Sequence, residues 1–544
     1  MSGDARGGFF RAFDRVAHNL NVVACVALGW IVATAHVGTN QVVFEGRAGG
    51  YPLRVMINPP GVVPAQVPIM VRVLEGTPTR VTVRAAQWNV GTKGAPPAEQ
   101  AAVVPGDAGV WAHDLWIMTS STYSVYVAVE GPAGNGVLVV PLQTSATRTL
   151  GMTQGMTVIL VVMGALLIVG LLTIVGAATR EGSLPAGEQP SVGRRRSARI
   201  ATASTAAILG LALFGGSKWW ASEERDYKRR MFKPIPIEAS VKTVDSDRVL
   251  TIAIKDSSWL TNRSTPLMPD HGKLMHLFLI RADDQTSIAH LHPLRVHPDS
   301  FVTRIPALPE GRYLLFGDLL FQSGAQRTVV DTINLPVAPV VAGESNARVI
   351  VAAAGVPAFD IDDAWRTVTP VALGTSSALA SGGNITLAAD VSAESLRSGR
   401  DLRLLVTVRD ANGSASILEP YMGTGGHAMV LRRDGGVFMH LHPAGTASMT
   451  AQAQLMRRER GDTAMLDSAD IAQAMGIAEA NDQSATAHAG MQMPKAQNAK
   501  APLAFPFAFP SDGAYRVFVQ VKRNGVVETA AFDVMITSPV KAAQ

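Results

Sequence analysis

Apolar positions along this chain follow two different patterns. Three stretches are almost uniformly apolar. Leu20 to Val37 is broken only by Asn21, Thr34 and His36, and Met156 to Ala178 carries no charge. Ala201 to Gly216 lies between Arg199 and the pair Trp219, Trp220. About 20 apolar residues cross a bilayer as a helix, so each stretch is read as a transmembrane helix. The rest of the chain is built from short β-branched runs broken by Gly, Pro and Asn. In residues 38–153 these include Val55-Met56-Ile57, Ile69 to Leu74, Arg80 to Val83 and Tyr123 to Val129. Their spacing predicts a β-sandwich of about 100 residues.

An internal repeat organises the remainder. Region two holds His276 and then His290-Leu291-His292-Pro293; region three holds His427 and then His440-Leu441-His442-Pro443. Each block is followed by a turn, a tyrosine, a strand, a Gly turn and a last strand. The tyrosine is Tyr313 after Pro309-Glu310-Gly311, and Tyr515 after Pro510-Ser511-Asp512-Gly513. The first β region ends the same way, from Ser121-Thr122-Tyr123. The expected fold is therefore mainly β with transmembrane α-helices: three Ig-like β-sandwich modules anchored by three helices.

The expected limits are 1–19 for an N-terminal segment, 20–37 for the first helix, 38–153 for the first sandwich and 156–178 for the second helix. An Arg-rich loop follows at 179–200 and a third helix at 201–220. The second sandwich spans 236–337 and the third 347–540, with a partly helical or disordered insertion at 446–500, rich in Ala, Met, Gln, Asp and Ser.

Cationic flanks set an expected orientation. Arg6, Arg11 and Arg15 precede the first apolar stretch, and Arg180, Arg194, Arg195, Arg196 and Arg199 separate the second from the third. Positive residues in short loops stay cytoplasmic. This predicts a multi-pass protein of a bacterial inner membrane, with a cytoplasmic N-terminus and all β modules in the periplasm. Composition agrees: of 544 residues 47% are hydrophobic and 17% charged. The net charge of +5 comes largely from that one loop, so a nucleic-acid surface is not implied. A single cysteine, Cys25, permits no internal disulfide. Val22-Val23-Ala24-Cys25 has the letters of a lipobox. However, His18, Asn19 and Asn21 stand where an apolar run should, so Cys25 reads as a plain helix residue.

The histidines carry the candidate chemistry. Folding the third-region hairpin about Asp434-Gly435 sets His427 opposite His442, and strand alternation puts His440 on the same face. Folding the second about Asp283-Asp284-Gln285 does the same for His276, His290 and His292. Neutral imidazoles suit Cu, Zn, Ni or Fe, and thioethers turn the choice towards Cu(I). Nearby sulfurs are Met268, Met275, Met422, Met429 and Met439, of which Met429 shares the histidine face. The same repeat also fits structural histidines bonded to loop backbone, or acid–base groups. Asp270-His271 reads as a loop ligand or a capping pair. His113, His297 and the Met/His tract His488 to Met493 are weaker candidates. No nucleophile elbow, phosphate loop, dinucleotide fingerprint, haem-attachment motif or zincin helix is present.

Asp270-His271-Gly272-Lys273 with Met275-His276, Ala289 to Pro293, Gly426-His427 and His440 to Pro443 resemble segments of exported bacterial proteins, and the first β region is similar to small YtkA-like Ig-type domains. The resemblance implies a sandwich outside the cytoplasmic membrane and a link to copper or terminal-oxidase assembly. Two functions are thus expected. One is a non-enzymatic inner-membrane protein that binds copper or a partner and serves a membrane redox complex. The other is a purely structural accessory subunit of a respiratory or photosynthetic complex. Its partners would be inner-membrane lipid and a membrane protein complex.

Overall fold

The computed structural model describes residues 41–185, 187–244, 247–260, 266–337, 357–461 and 502–538. It forms two compact units, a helical one of residues 61–63 and 145–233, and a β unit from the rest.

The helical unit contains α1 (Gln154–Glu181) and α2 (Val192–Arg230), which pack on each other. Thr153 caps α1 through the amide of Met156, and Ser191 caps α2 through that of Arg194. The apolar side chains of α1, among them Val158, Ile159, Leu166 and Leu167, surround it on every side and stay exposed. A helix apolar all round and uncovered by protein suits a lipid environment.

The expectation of three transmembrane helices is corrected. Among the described residues two helices are long and apolar enough to cross a membrane. The stretch Leu20–Val37 lies outside the described residues. The arginine-rich loop also shrinks, because the Ser191 cap and strong helix formers start α2 at Val192 rather than Ala201. Arg194, Arg195, Arg196 and Arg199 therefore sit on its first turns.

The β unit repeats one sandwich topology three times. In the first module, Val42–Ala48, Tyr51–Ile57, Ala65–Val73, Asp107–Ile117 and Ala102–Val104 form one sheet. Glu99–Gln100, Arg80–Gln87, Thr122–Glu130 and Gly136–Gln143 form the other. In the second, Ile237–Val244, Asp247–Ile254, Ser300–Ile305 and Leu294–His297 face Gln326–Leu335, Gly311–Leu320, His276–Arg281 and Ser287–Leu291. In the third, Ser376–Ala378, Asn384–Ala389, Asp401–Arg409 and Leu503–Ala508 face Val371–Ala372, Val526–Ile536, Gly513–Arg523, His427–Arg432 and Phe438–Leu441. This strand order is of immunoglobulin type. Each module also has a tyrosine corner. The hydroxyls of Tyr123, Tyr313 and Tyr515 donate to the carbonyls of Thr119, Pro309 and Ser511 at 3.0, 2.9 and 2.9 Å.

Two features depart from the expected limits. Ala364–Thr367 pairs with Ser287–Leu291, so part of the span assigned to the third module completes a sheet of the second. The expected insertion begins with an ordered helix, α3 (Met449–Glu459), capped by Ser448. Residues 462–501 lie outside the described residues.

The second and third modules are fused through their histidine hairpins, which are buried on both faces. One face of each hairpin fills its own sandwich: Leu277, Leu279, Ala289 and Leu291 in the second module, Ala428, Val430, Met439 and Leu441 in the third. The other faces meet across the modules, where Phe278, Ile280, Ile288 and Phe316 pack with Met429, Leu431, Phe438 and Phe518. Phe316 and Phe438 stack at 4.2 Å with their planes 2° apart. At the hairpin tips Arg516 Nη1 donates to the carbonyls of Asp284 (2.7 Å) and Gln285 (2.8 Å).

The first module is latched to this pair. Just beyond His442-Pro443, Gly445 pairs with Phe44, and Glu45 N donates to Ala444 O at 2.7 Å. A Cβ on Gly445 would meet Val43 O at 2.0 Å, and its φ is +124°, so the close approach requires glycine. α3 then crosses between modules. Arg458 lies over the Trp88 ring at 4.8 Å, and Ala451 packs on Met268 and Leu320.

Candidate metal centre

Strand register delivers the histidines. Leu277 pairs with Leu291 and Ala428 with Leu441, so one step further His276 stands opposite His292 and His427 opposite His442. Alternation puts the partners of each triad on the face turned to the other module. The two triads are therefore not separate sites. His276, His290 and His292 adjoin His427, His440 and His442, with ring centroids 5.3 Å apart for His276–His440 and 5.6 Å for His290–His440. His271 joins them, 4.8 Å from His442 and 5.5 Å from His427.

The core of the cluster repeats itself across the two modules. His276 Nδ1 lies 3.1 Å from His290 Nε2, and His427 Nδ1 lies 3.0 Å from His440 Nε2. His276 Nε2 meets the Asp270 carbonyl at 3.0 Å, and His427 Nε2 meets the Tyr421 carbonyl at 3.3 Å. Each second histidine then reaches into the other module. His290 Nδ1 lies 2.9 Å from Gln520 Oε1, and His440 Nδ1 lies 3.5 Å from Asp318 Oδ2. All four of these imidazoles have partners on both nitrogens.

The outer histidines differ. His292 Nδ1 lies 2.9 Å from Asp363 Oδ1, leaving Nε2 buried with no partner. His442 is 1% exposed, and neither of its ring nitrogens has a hydrogen-bond partner. His271 Nε2 is likewise buried and unpaired. Buried polar atoms are normally satisfied, and these four nitrogens lie together in one cluster with lone pairs open to a donor or an ion. Donor atoms lie within 4.8 Å of one another in each triad, in Asp270–His271–His442 and in His292–Asp360–Asp363. Such clusters could hold a metal.

Electrostatics keeps the four central imidazoles and His442 uncharged. Burial first, and then the neighbouring imidazoles, push His276, His290, His427 and His440 well below the usual histidine range. Burial, with His271 beside it, lowers His442 to about 4. Burial alone would raise Asp270, but the positive charge that His271, His442 and His276 take on in acid outweighs it and holds the carboxyl at about 2. Burial raises Asp318 to about 7. Neutral imidazoles offer lone pairs rather than protons, the state a metal needs.

Of the other expected ligands, Met275 and Met439 point into the sandwich cores, and Met429 lies in the intermodule core beside the cluster. His113 Nε2 lies 3.0 Å from Glu99 on the first module, and His297 is exposed. His488 to Met493 lie outside the described residues. Sequence reasoning missed Asp318, Gln520, Tyr421, Asp360 and Asp363. A sign of the first two was available: Asp318 and Gln520 are each the fifth residue after a corner tyrosine, and they stand opposite His276 and His427.

Comparison with known proteins adds one domain-level match. A domain of unknown function, DUF8832, matches residues 381–538. That span takes in the third module with its triad and is less than half of the chain. No curated protein matches the sequence. The chicken interferon gamma receptor alpha chain is similar at 7% identity and a TM-score of 0.15, over 50% of this chain and 93% of that one. A tetra-tandem repeat from the extending region of a large adhesion protein is similar at 9% identity, a TM-score of 0.15 and coverage of 87% and 96%. The ICAM-5 D1–D4 ectodomain fragment is similar at 10% identity, a TM-score of 0.13 and coverage of 89% and 76%.

Proposed function

We propose that this is a membrane-anchored, non-enzymatic protein that binds a transition metal, copper favoured, in the histidine cluster its second and third modules share. The single observation behind this reading is the set of four buried imidazole nitrogens without partners, on His271, His292 and His442. A purely structural cluster gains nothing from leaving them bare, since each unpaired buried group costs about 1–3 kcal/mol. Imidazole donors with Met429 alongside suit copper better than a hard cation.

In this reading α1 and α2 form a membrane hairpin. Arg180 and Arg194 to Arg199, at its turn, face the cytoplasm, which puts the β unit in the periplasm of a bacterium. There it serves a membrane redox complex by holding or handing on the ion. The chain extracted from native membranes in mild detergent should carry copper on elemental analysis. It should also bind added Cu(I) or Cu(II) more tightly than a variant with His276, His290, His292, His427, His440 and His442 all changed to Gln. Equal binding by the two would refute the metal reading and leave the metal-free accessory subunit in its place.

A further inference from the structure

The two ends of the cluster are not equivalent, and the difference identifies where an ion sits. Asp270-His271-Gly272-Lys273 and Tyr421-Met422-Gly423-Thr424 are the same loop in two copies. Each begins six residues before the first histidine of its triad and closes by a backbone bridge, Asp270 with Lys273 and Tyr421 with Thr424. His271 and Met422 both take positive φ, +51° and +49°. The duplication kept the backbone and changed the side chains: only the second-module copy carries a carboxylate followed by an imidazole.

That loop reaches across to His442 of the third module. His271 Nε2 lies 3.8 Å from Asp270 Oδ1, and both side chains are nearly inaccessible, at 3% and 8% exposure. Ser448, the cap of α3, donates its hydroxyl to Asp270 Oδ1 at 2.9 Å and so fixes the carboxylate. At the opposite end His292 offers one free nitrogen, while Asp363 Oδ1 is engaged by the ring and the backbone amide of His292. The four central histidines have both nitrogens engaged. Among the described residues only the Asp270 end brings two imidazoles with free nitrogens to one carboxylate.

We propose that Asp270, His271 and His442 form a binding site for one divalent late first-row ion, built from two modules and steadied by Ser448. The claim rests on the metal reading above and narrows it to three ligands. Their donor atoms lie within 4.8 Å of one another, and a tetrahedral ion with bonds of about 2.0–2.2 Å wants roughly 3.4 Å between donors. Small side-chain rotations close that gap. An oxygen donor beside two imidazoles suits Cu(II) or Zn(II) better than Cu(I). The triads expected from sequence then divide their labour: His442 is a ligand, and His276, His290, His427 and His440 are positioning residues that hold the two modules in register.

The test titrates the metal-free full-length chain in detergent with Cu(II), follows it by electron paramagnetic resonance, and adds Zn(II) as competitor. Wild type should bind one equivalent with a signal split by two imidazole nitrogens. His271→Gln, His442→Gln and Asp270→Asn should each weaken binding by at least about a hundredfold. Ser448→Ala should cost roughly tenfold, and His292→Gln should change nothing. His271→Met copies the residue the duplicate loop already carries at this position. It therefore keeps the loop folded while replacing the imidazole by a thioether, a poor donor to Cu(II), and should lose binding like His271→Gln. Wild-type affinity retained in His271→Met would overturn this assignment while leaving the metal reading in place. Absence of binding by wild type itself would remove both.

Discussion

Acid should unfasten this protein through the imidazoles buried between its second and third modules. His442 stands in the metal-free chain at about 4, against an ordinary value near 6.5. A folded-state value below the unfolded one means that the unfolded chain takes up the proton first. The stabilisation is therefore complete above about pH 6.5 and is lost as pH falls towards 4. A shift of roughly 2.5 units is worth about 3.4 kcal/mol in full, of which about 2 kcal/mol disappears between pH 7 and pH 5. His276, His290, His427 and His440, all pushed down by burial, act in the same direction. Asp318 opposes them. Raised to about 7, it is stabilised by protonation over the same range, although its 22% exposure softens the effect. Asp270, held at about 2, matters only below about pH 4. The net loss is a large part of the 5–15 kcal/mol that holds a typical domain. The assay is thermal unfolding of the full-length chain in detergent with a chelator, from pH 8 to pH 5, for wild type and His442→Gln. The wild-type midpoint should fall steeply below pH 6.5. The variant should lack about 2 kcal/mol of that dependence. Parallel curves for the two chains would refute the account of His442, and a flat wild-type curve would refute the buried neutral cluster.

Other perturbations test the frame around the site. Phe438→Ala removes the ring stacked on Phe316 and should cost about 3–5 kcal/mol, read as a lower unfolding midpoint, with Cu(II) affinity falling as the modules part. Tyr515→Phe deletes the hydroxyl bonded to the Ser511 carbonyl and should cost about 1 kcal/mol by denaturant midpoint, with the site intact. Asp401→Ala strips a carboxylate from Arg54 (3.0 Å) and Arg72 (3.1 Å), which join the first module to the third. Because Arg54 keeps Glu45 and Arg72 keeps Asp107, it should cost only about 1 kcal/mol and raise hydrogen exchange in Val42–Ala48 before the other strands.

What the sequence made legible was local. Period-2 alternation and the two turns sufficed to place His276 opposite His292 and His427 opposite His442, because a hairpin fixes its own register. Alternation also separated Met429 from Met439. It could not say what covers the histidine face. Two triads were read as two sites, because nothing in a hairpin names its neighbour. A usable sign lay in the same strands. The histidine face also carries Phe278, Ile280 and Ile288 in one copy, and Met429, Leu431 and Phe438 in the other. A sheet face that mixes imidazoles with that much apolar surface must be buried. Each copy offers the other a matching face, so the economical cover is the duplicate itself. By the same logic the loop before each triad had to meet its counterpart's histidines, His271 with His442 and Tyr421 with His290. Asp270-His271, read alone, is a turn; across a paired interface it becomes the place where the duplicated halves differ, and a difference between copies in a shared core is where binding chemistry separates from packing.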